Sequence, residues 1–314
     1  MRIDSHHLPT LVEHQYLIVR SLGVGSRAEV LLGCRNPDEE DALQSPSELI
    51  ALKQLHERLH SDRLLVERFY QEAAFLRSLP PNANLVAVQD AGCWNERHTM
   101  VLDYVRGVTL RQFLDAYAAS ISPAIAFEII YQLAGVLQFL QPYGPKQGFV
   151  HGDLSPTNIL IDQSGSIRLI DFDVAIEIQD DPQQTAMGTL PYISPEQCEE
   201  RPLDLRSDIF VLGTLLWEML RGKCPYPRFD PAHAMLMIAE EQIAAPFAHH
   251  SDPQIALAQR IWQQLHALQR ASRYTTFSAL LHDIRSLALR EDGATRRLLA
   301  EQIAHMTRKA EATG

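Results

Sequence analysis

The chain has 314 residues, 46% of them hydrophobic, enough for a sizeable core in one domain or two lobes. A formal net charge of −11, with no basic stripe, argues against a nucleic-acid partner. Four widely spaced cysteines (Cys34, Cys93, Cys198, Cys224), with no CxxC pair, read as reduced structural thiols rather than zinc ligands or disulfides.

The N-terminus, MRIDSHHLPT, lacks the charged-then-apolar pattern of a signal segment. The run IFVLGTLLWEML is too short and too polar for a membrane span, so no membrane partner is expected and the chain reads as cytoplasmic. Strand-like alternation dominates the N-terminal third, and long helical patterns dominate after Arg111. This predicts an α+β chain with two lobes, a small β-rich N-lobe and a larger α-helical C-lobe, joined near LDYVRG (102–107).

The first element of interest is LGVGSRAEV (22–30), a Gly-rich turn inside a strand pattern. Glycines let backbone N–H groups approach phosphates, but alone the signal is weak and a plain hairpin turn accounts for the pattern better. NPDEEDALQSPSE (36–48) is acidic and turn-rich and reads as an exposed loop. In IALKQL, alternation puts Ala51, Lys53 and Leu55 on one strand face, where a lysine needs a partner. The helix that follows, with Ser61 as its expected N-cap, carries Leu65, Phe69, Glu72 and Leu76 on one stripe. An inward lysine and an inward glutamate on neighbouring elements are natural partners; two snorkelling surface residues are the alternative.

FVHGDLSPTNILIDQSGSIRLIDFD (149–173) is the densest stretch. His151, Asp153, Asn158, Asp162 and Asp171 could each grip a cation or move a proton. NILID and SIRLID read as short strands and DQSG as the turn between them. Such a hairpin brings Asn158 and Asp171 to one open end, with Asp153 on the loop feeding it. An amide oxygen and a carboxylate there suit Mg2+, and a second carboxylate could orient a hydroxyl nucleophile. Further on, Trp217 and Trp262 fall in apolar helical patterns and read as core, while His6–His7 and His249–His250 read as surface. The tail after Leu289 has a helical stripe of Leu298, Leu299, Ile303 and Met306, expected to dock on the helical lobe or on a partner, with a frayed exposed helix as the alternative.

Together these motifs resemble the protein kinase superfamily, most closely the bacterial Ser/Thr kinases of eukaryotic type, over roughly residues 16–289. The resemblance implies an N-terminal extension (1–15), an N-lobe (16–102), a hinge (103–107), a C-lobe (108–289) and a helical tail (290–314). It implies ATP and Mg2+ as cofactors and an unnamed protein substrate. Gly23, Gly25 and Val30 match the glycine loop, with Ala28 where a third glycine is usual. Lys53 would hold the α- and β-phosphates beside Ala51, with Glu72 as its partner. Backbone groups of Asp103 and Val105 would bind adenine, with Leu102 gating the pocket behind. In HGDLSPTN, Asp153 would be the catalytic base and Asn158 a Mg2+ ligand; in DFD, Asp171 would be the main Mg2+ ligand. GTLPYISPEQ resembles the end of an activation segment, Glu196 should pair with Arg273, and Asp208 should brace the catalytic loop. Gly152, Ser155 and Asp173 depart from the family pattern, standing where arginine, lysine and glycine are usual. HGDL and DFD are also similar to small-molecule kinases of the aminoglycoside and choline type, and a pseudokinase scaffold is a further alternative.

Overall fold

Apolar–polar alternation in the first third becomes a six-stranded antiparallel sheet. Its strands are β1 (Leu11–Val12), β2 (Tyr16–Val24), β3 (Ala28–Arg35), β4 (Leu49–Leu55), β5 (Val88–Trp94) and β6 (Arg97–Asp103), in the order β1-β2-β3-β4-β6-β5. Helix α1 (Arg63–Ser78) accompanies them. The computed structural model describes residues 11–12, 16–35, 49–117, 121–144, 148–172, 175, 188–226, 230–240, 243–247, 252–287 and 293–313. The chain divides into two units, residues 1–82 with 86–105 and residues 83–85 with 106–314.

In the first unit β4 is covered on both faces. Ile50 and Leu52 pack with Tyr16, Leu31 and Val101 on one side. On the other, Leu55 joins Phe69 and Ala73 of α1 with Val88 and Met100. A strand buried on both faces reads as a nearly continuous apolar run, as β4 does apart from Lys53 and Gln54. The N-cap of α1 is Asp62, not Ser61. The Asp62 carboxylate accepts from the N–H groups of Leu64 and Leu65 at 3.1 and 3.2 Å, satisfying two donors the helix start leaves open.

The second unit begins with β7 (Gly107–Thr109), α2 (Leu110–Tyr117) and α3 (Pro123–Leu140). The hairpin β8 (Ile159–Asp162) and β9 (Ile167–Leu169) pairs with β7 in a three-stranded sheet. Helices α4 (Pro195–Cys198), α5 (Leu205–Arg221), α6 (Pro231–Glu240), α7 (Pro253–Leu265), α8 (Phe277–Arg285) and α9 (Ala294–Thr313) follow. Ser122 caps α3 by accepting from the Ile125 N–H, and Pro123 sits in its first turn. By length and composition residues 123–143 could cross a membrane, but 67% of that apolar window is buried inside this unit, as in a central core helix.

Trp262 is buried in the core and donates its indole N–H to the Gly213 carbonyl at 3.1 Å. Trp217, by contrast, is only partly buried: its indole reaches outward to the Ala244 carbonyl at 2.9 Å. Along α9, Leu299 and Ile303 are fully buried, whereas Leu298 is 55% exposed. The buried stripe is therefore narrower than the sequence pattern suggests.

Candidate active site

In the first unit, cross-strand register gathers several of the candidate residues. Gly23 pairs with Val30 across β2 and β3, and Val30 pairs with Lys53 across β3 and β4. Directly opposed residues share a sheet face, and Ala51 joins them two positions before Lys53. The Lys53 ammonium donates to the Glu72 carboxylate of α1 at 2.7 Å, with both side chains buried. A buried lysine is tolerable because this partner meets its charge. The glycine turn closes on itself through Gly25 N–H to the Ala28 carbonyl at 2.8 Å. Two side chains absent from the sequence reading anchor its tip: the His56 ring donates to the Gly25 carbonyl at 2.9 Å, and Arg58 to the Ser26 carbonyl at 2.6 Å. At the end of β6, the Asp103 N–H donates to the Ala87 carbonyl at 3.0 Å and its carboxylate accepts from Gln89 at 2.7 Å. Among the described residues no protein acceptor takes the Val105 N–H.

The second unit carries Asp153, Asn158 and Asp171. Asp153 accepts from the Thr189 N–H at 2.5 Å and from the Asn158 side-chain amide at 2.9 Å. The same amide nitrogen donates to the Asp153 carbonyl at 2.9 Å, which turns the Asn158 Oδ1 away from these contacts. The Ile170 N–H donates to the Asn158 carbonyl at 3.0 Å, fixing the residue before Asp171 against Asn158. Asp171 itself has left-handed backbone, φ 65°, a conformation Asp adopts more readily than most residues. Burial raises the Asp153 carboxyl to about 6, and the negative charge of Asp171 adds to this against the donors Thr189 and Asn158. An amide oxygen and carboxylates form a hard donor set of the kind Mg2+ takes, since that ion keeps waters and substrate phosphates in its remaining positions. Among the described residues no larger His, Cys, Asp and Glu cluster offers a cage for a softer metal.

The loop bearing Asp153 is braced from three directions. The fully buried Asp208 accepts from the His151 and Gly152 N–H groups at 2.8 and 3.0 Å. Gln197 donates its side-chain amide to the Gly152 carbonyl at 2.8 Å. Gly188 packs so tightly on the same carbonyl that a Cβ there would approach it to 2.5 Å. Gly152 has φ 75°, a conformation that glycine supplies without the penalty other residues incur. Deeper in, Glu196 accepts both Arg273 guanidinium nitrogens at 2.7 and 3.1 Å. Glu218 takes Arg111 at 2.8 Å and the Tyr192 hydroxyl at 2.7 Å. Gln197 and the Arg111–Glu218–Tyr192 group escaped the sequence reading, because each joins residues far apart in the chain.

Two residues first counted as cation acceptors do other work. The His151 ring is fully buried against Phe172, with ring centroids 4.9 Å apart, and burial lowers it to about 3, so it stays neutral. Asp162 holds the β8–β9 turn, accepting from the Ser164 and Ser166 N–H groups at 2.9 and 3.0 Å and pairing with Arg168. Ser155 turns inward to the Thr157 hydroxyl at 2.7 Å. Asp173, the pairs His6–His7 and His249–His250 and the loop 36–48 lie outside the described residues.

Residues 16–304 match the family pattern described as the protein kinase domain. Relatives include the probable serine/threonine-protein kinase PknB of Lactococcus lactis, 27% identical over 274 residues, spanning 86% of this chain and 41% of the relative. PrkC of Bacillus subtilis, a serine/threonine-protein kinase, is 28% identical over 280 residues, 88% of this chain and 41% of the relative. PknB of Mycolicibacterium smegmatis is 30% identical over 288 residues, 88% and 43% of the two chains. The chain thus spans about two fifths of the length of these relatives. Among solved structures, the kinase domain of Mycobacterium tuberculosis PknI superposes with a TM-score of 0.62 at 21% identity, covering 92% of this chain and all of that one. That likeness shows the fold, with its sheet-rich and helical parts.

Proposed function

The chain belongs to the protein kinase family, on its bacterial eukaryotic-type serine/threonine branch, and we propose that it transfers the γ-phosphate of Mg-ATP to serine or threonine hydroxyls of proteins. The observation that carries this reading is the Asp153 group: a carboxylate of raised proton affinity, held by Thr189 and Asn158 in the unit that also bears Asp171. Asp153 is the base that accepts the hydroxyl proton as the new oxygen–phosphorus bond forms and the bond to ADP breaks. Lys53, held by Glu72, orients the α- and β-phosphates. Gly23, Gly25, Val30 and Ala51 line the nucleotide, and Asp103 and Val105 offer backbone groups to adenine. Asn158 and Asp171 would hold Mg2+, which when bound neutralises the charge on the phosphates.

A scaffold without activity is disfavoured because Lys53, Glu72, Asp153, Asn158 and Asp171 are all present. A small-molecule acceptor is disfavoured by the Gly188–Gln197 segment, whose Thr189 and Gln197 grip the loop bearing Asp153. Incubation with γ-labelled ATP, Mg2+ and either a generic protein or an aminoglycoside or choline separates the readings. Label on protein serine or threonine supports this one; label only on the small molecule overturns it.

A further inference from the structure

The C-terminal helix α9 is joined to the β8–β9 hairpin by a chain of polar contacts, buried at Glu128 and Gln132 and partly exposed at Arg296. Arg296 of α9 donates through Nη2 and Nε to the Glu128 carboxylate of α3, at 3.1 and 3.3 Å. Glu128 is only 3% exposed, so an unmatched charge there would be costly. The same carboxylate oxygen accepts from the Gln132 amide nitrogen at 3.0 Å. Gln132 then grips the hairpin at two points: its nitrogen donates to the Gly165 carbonyl at 3.1 Å, and its oxygen accepts from the Ile167 N–H at 3.0 Å. The helix also lies directly on the hairpin turn, where a Cβ on Gly165 would come within 2.6 Å of the Arg296 carbonyl oxygen.

Both ends of the hairpin matter to the proposed chemistry. β8 starts one residue after Asn158, and β9 ends two residues before Asp171. β8 is held on its other edge by β7, and the Asn84 side chain donates to the Ile167 carbonyl of β9 at 2.8 Å, so the contacts at the turn act together with these in setting the hairpin's pitch. Gln132 holds the turn through both hydrogen-bonding atoms of its amide, and Glu128 and Arg296 hold Gln132. The two-point grip restricts both the height and the rotation of the strands.

We infer that Gln132, oriented by Glu128 and Arg296, is a positioning residue for the metal–nucleotide site, so that the C-terminal helix sets the placement of Asn158 and Asp171 without touching a ligand. This inference rests on the phosphotransfer reading given above. It goes beyond that reading in giving α9 a part in the chemistry.

Two variants of the full chain test it, Gln132→Leu and the milder Arg296→Ala, whose side chain is 44% exposed in the parent. The first readout is amide hydrogen exchange without nucleotide. The Ile170 N–H bonds to the Asn158 carbonyl, and its exchange is expected to quicken at least tenfold in Gln132→Leu and less in Arg296→Ala. The second is Mn2+ binding with a non-hydrolysable ATP analogue, followed by electron paramagnetic resonance. Its dissociation constant is expected to rise at least fivefold in Gln132→Leu, with metal-free nucleotide affinity unchanged. Arg296→Lys should restore most of the loss seen in Arg296→Ala. A lowered melting temperature with unchanged Ile170 exchange and unchanged Mn2+ affinity would reduce the network to a stability clip and overturn the inference. A parent that binds no metal–nucleotide would overturn the phosphotransfer reading instead, while Ile170 exchange would still judge the positioning claim.

Discussion

The backbone N–H of Thr189 donates to the Asp153 carboxylate at 2.5 Å, tying the segment from Gly188 to Gln197 to the proposed base. The contact favours the ionised carboxylate, yet burial outweighs it and the carboxyl stands at about 6. Asp153 can accept a proton only when ionised, so acid removes the base. We predict that kcat/KM for ATP, which reports the free enzyme, falls about tenfold per pH unit below pH 6. An acid limb near the ordinary aspartate range, about pH 4, would show that the group is not raised.

Gly188 leaves no room for a side chain, since a Cβ would approach the Gly152 carbonyl to 2.5 Å and the Asp153 carboxylate to 3.2 Å. Gly188→Ala must therefore displace the loop, and displacements of about 1 Å can cost on the order of a hundredfold in rate. We expect a loss of that size in kcat, with a melting temperature within a few degrees of the parent. Turnover at the parental rate would mean the loop can yield without harm. At Gly152, with φ 75°, arginine would meet backbone strain of about 1–2 kcal/mol, so Gly152→Arg should lower stability and bring no gain in turnover.

Some of this site was legible in the sequence. A lone lysine in an apolar strand and a lone glutamate in an apolar helical stripe announced the pair Lys53–Glu72, because burying either without a partner is costly. Alternation around a DQSG turn placed Asn158 and Asp171 on one hairpin. What stayed hidden was contact at long range. Gln197 reaches Gly152 across 45 positions and Arg111 reaches Glu218 across 107, separations that no local periodicity encodes. His151 and Asp162 misled for the opposite reason: both are acceptors by residue type, and only burial and turn geometry reveal other duties. Ser61 lost the cap to its neighbour Asp62, a one-residue choice between two good capping side chains.

Arg273 and Glu196 form a bidentate pair with side chains at 0% and 1% exposure, and Arg273 also donates to the Arg206, Ala267 and Leu268 carbonyls. Removing one member of such a buried pair costs about 3–5 kcal/mol, so Arg273→Met should unfold at markedly lower denaturant concentration. The Arg273 guanidinium, despite opposing burial, leaves the Glu196 carboxyl below its ordinary value of 4.5. That contribution is fully present above pH 4.5 and is lost as pH falls through the lower folded value. Chemical denaturation of parent and variant from pH 7 to 3 should show the difference narrowing with acid. A constant gap would contradict the ion-pair origin.

Lys53→Met leaves the buried Glu72 without its 2.7 Å partner and removes the cation proposed for the phosphates. Transfer should fall about a hundredfold or more while circular dichroism stays native. Retained transfer would mean another cation serves the phosphates.

Deleting residues 292–314 removes Leu299 and Ile303, both fully buried, each contributing about 1.5–3 kcal/mol through apolar burial. The melting temperature should drop by more than about 5 °C. An unchanged value would mean that α9 adds nothing to the stability of its unit.

The most direct measurement is single-turnover transfer from γ-labelled ATP and Mg2+ to a generic protein, comparing the parent with Asp153→Ala. The parent should label serine or threonine. Asp153→Ala should remain folded, bind nucleotide like the parent, and transfer about a hundredfold more slowly or worse. Equal rates in the two proteins, or no transfer by the parent under any metal concentration, would contradict a kinase reaction run by Asp153.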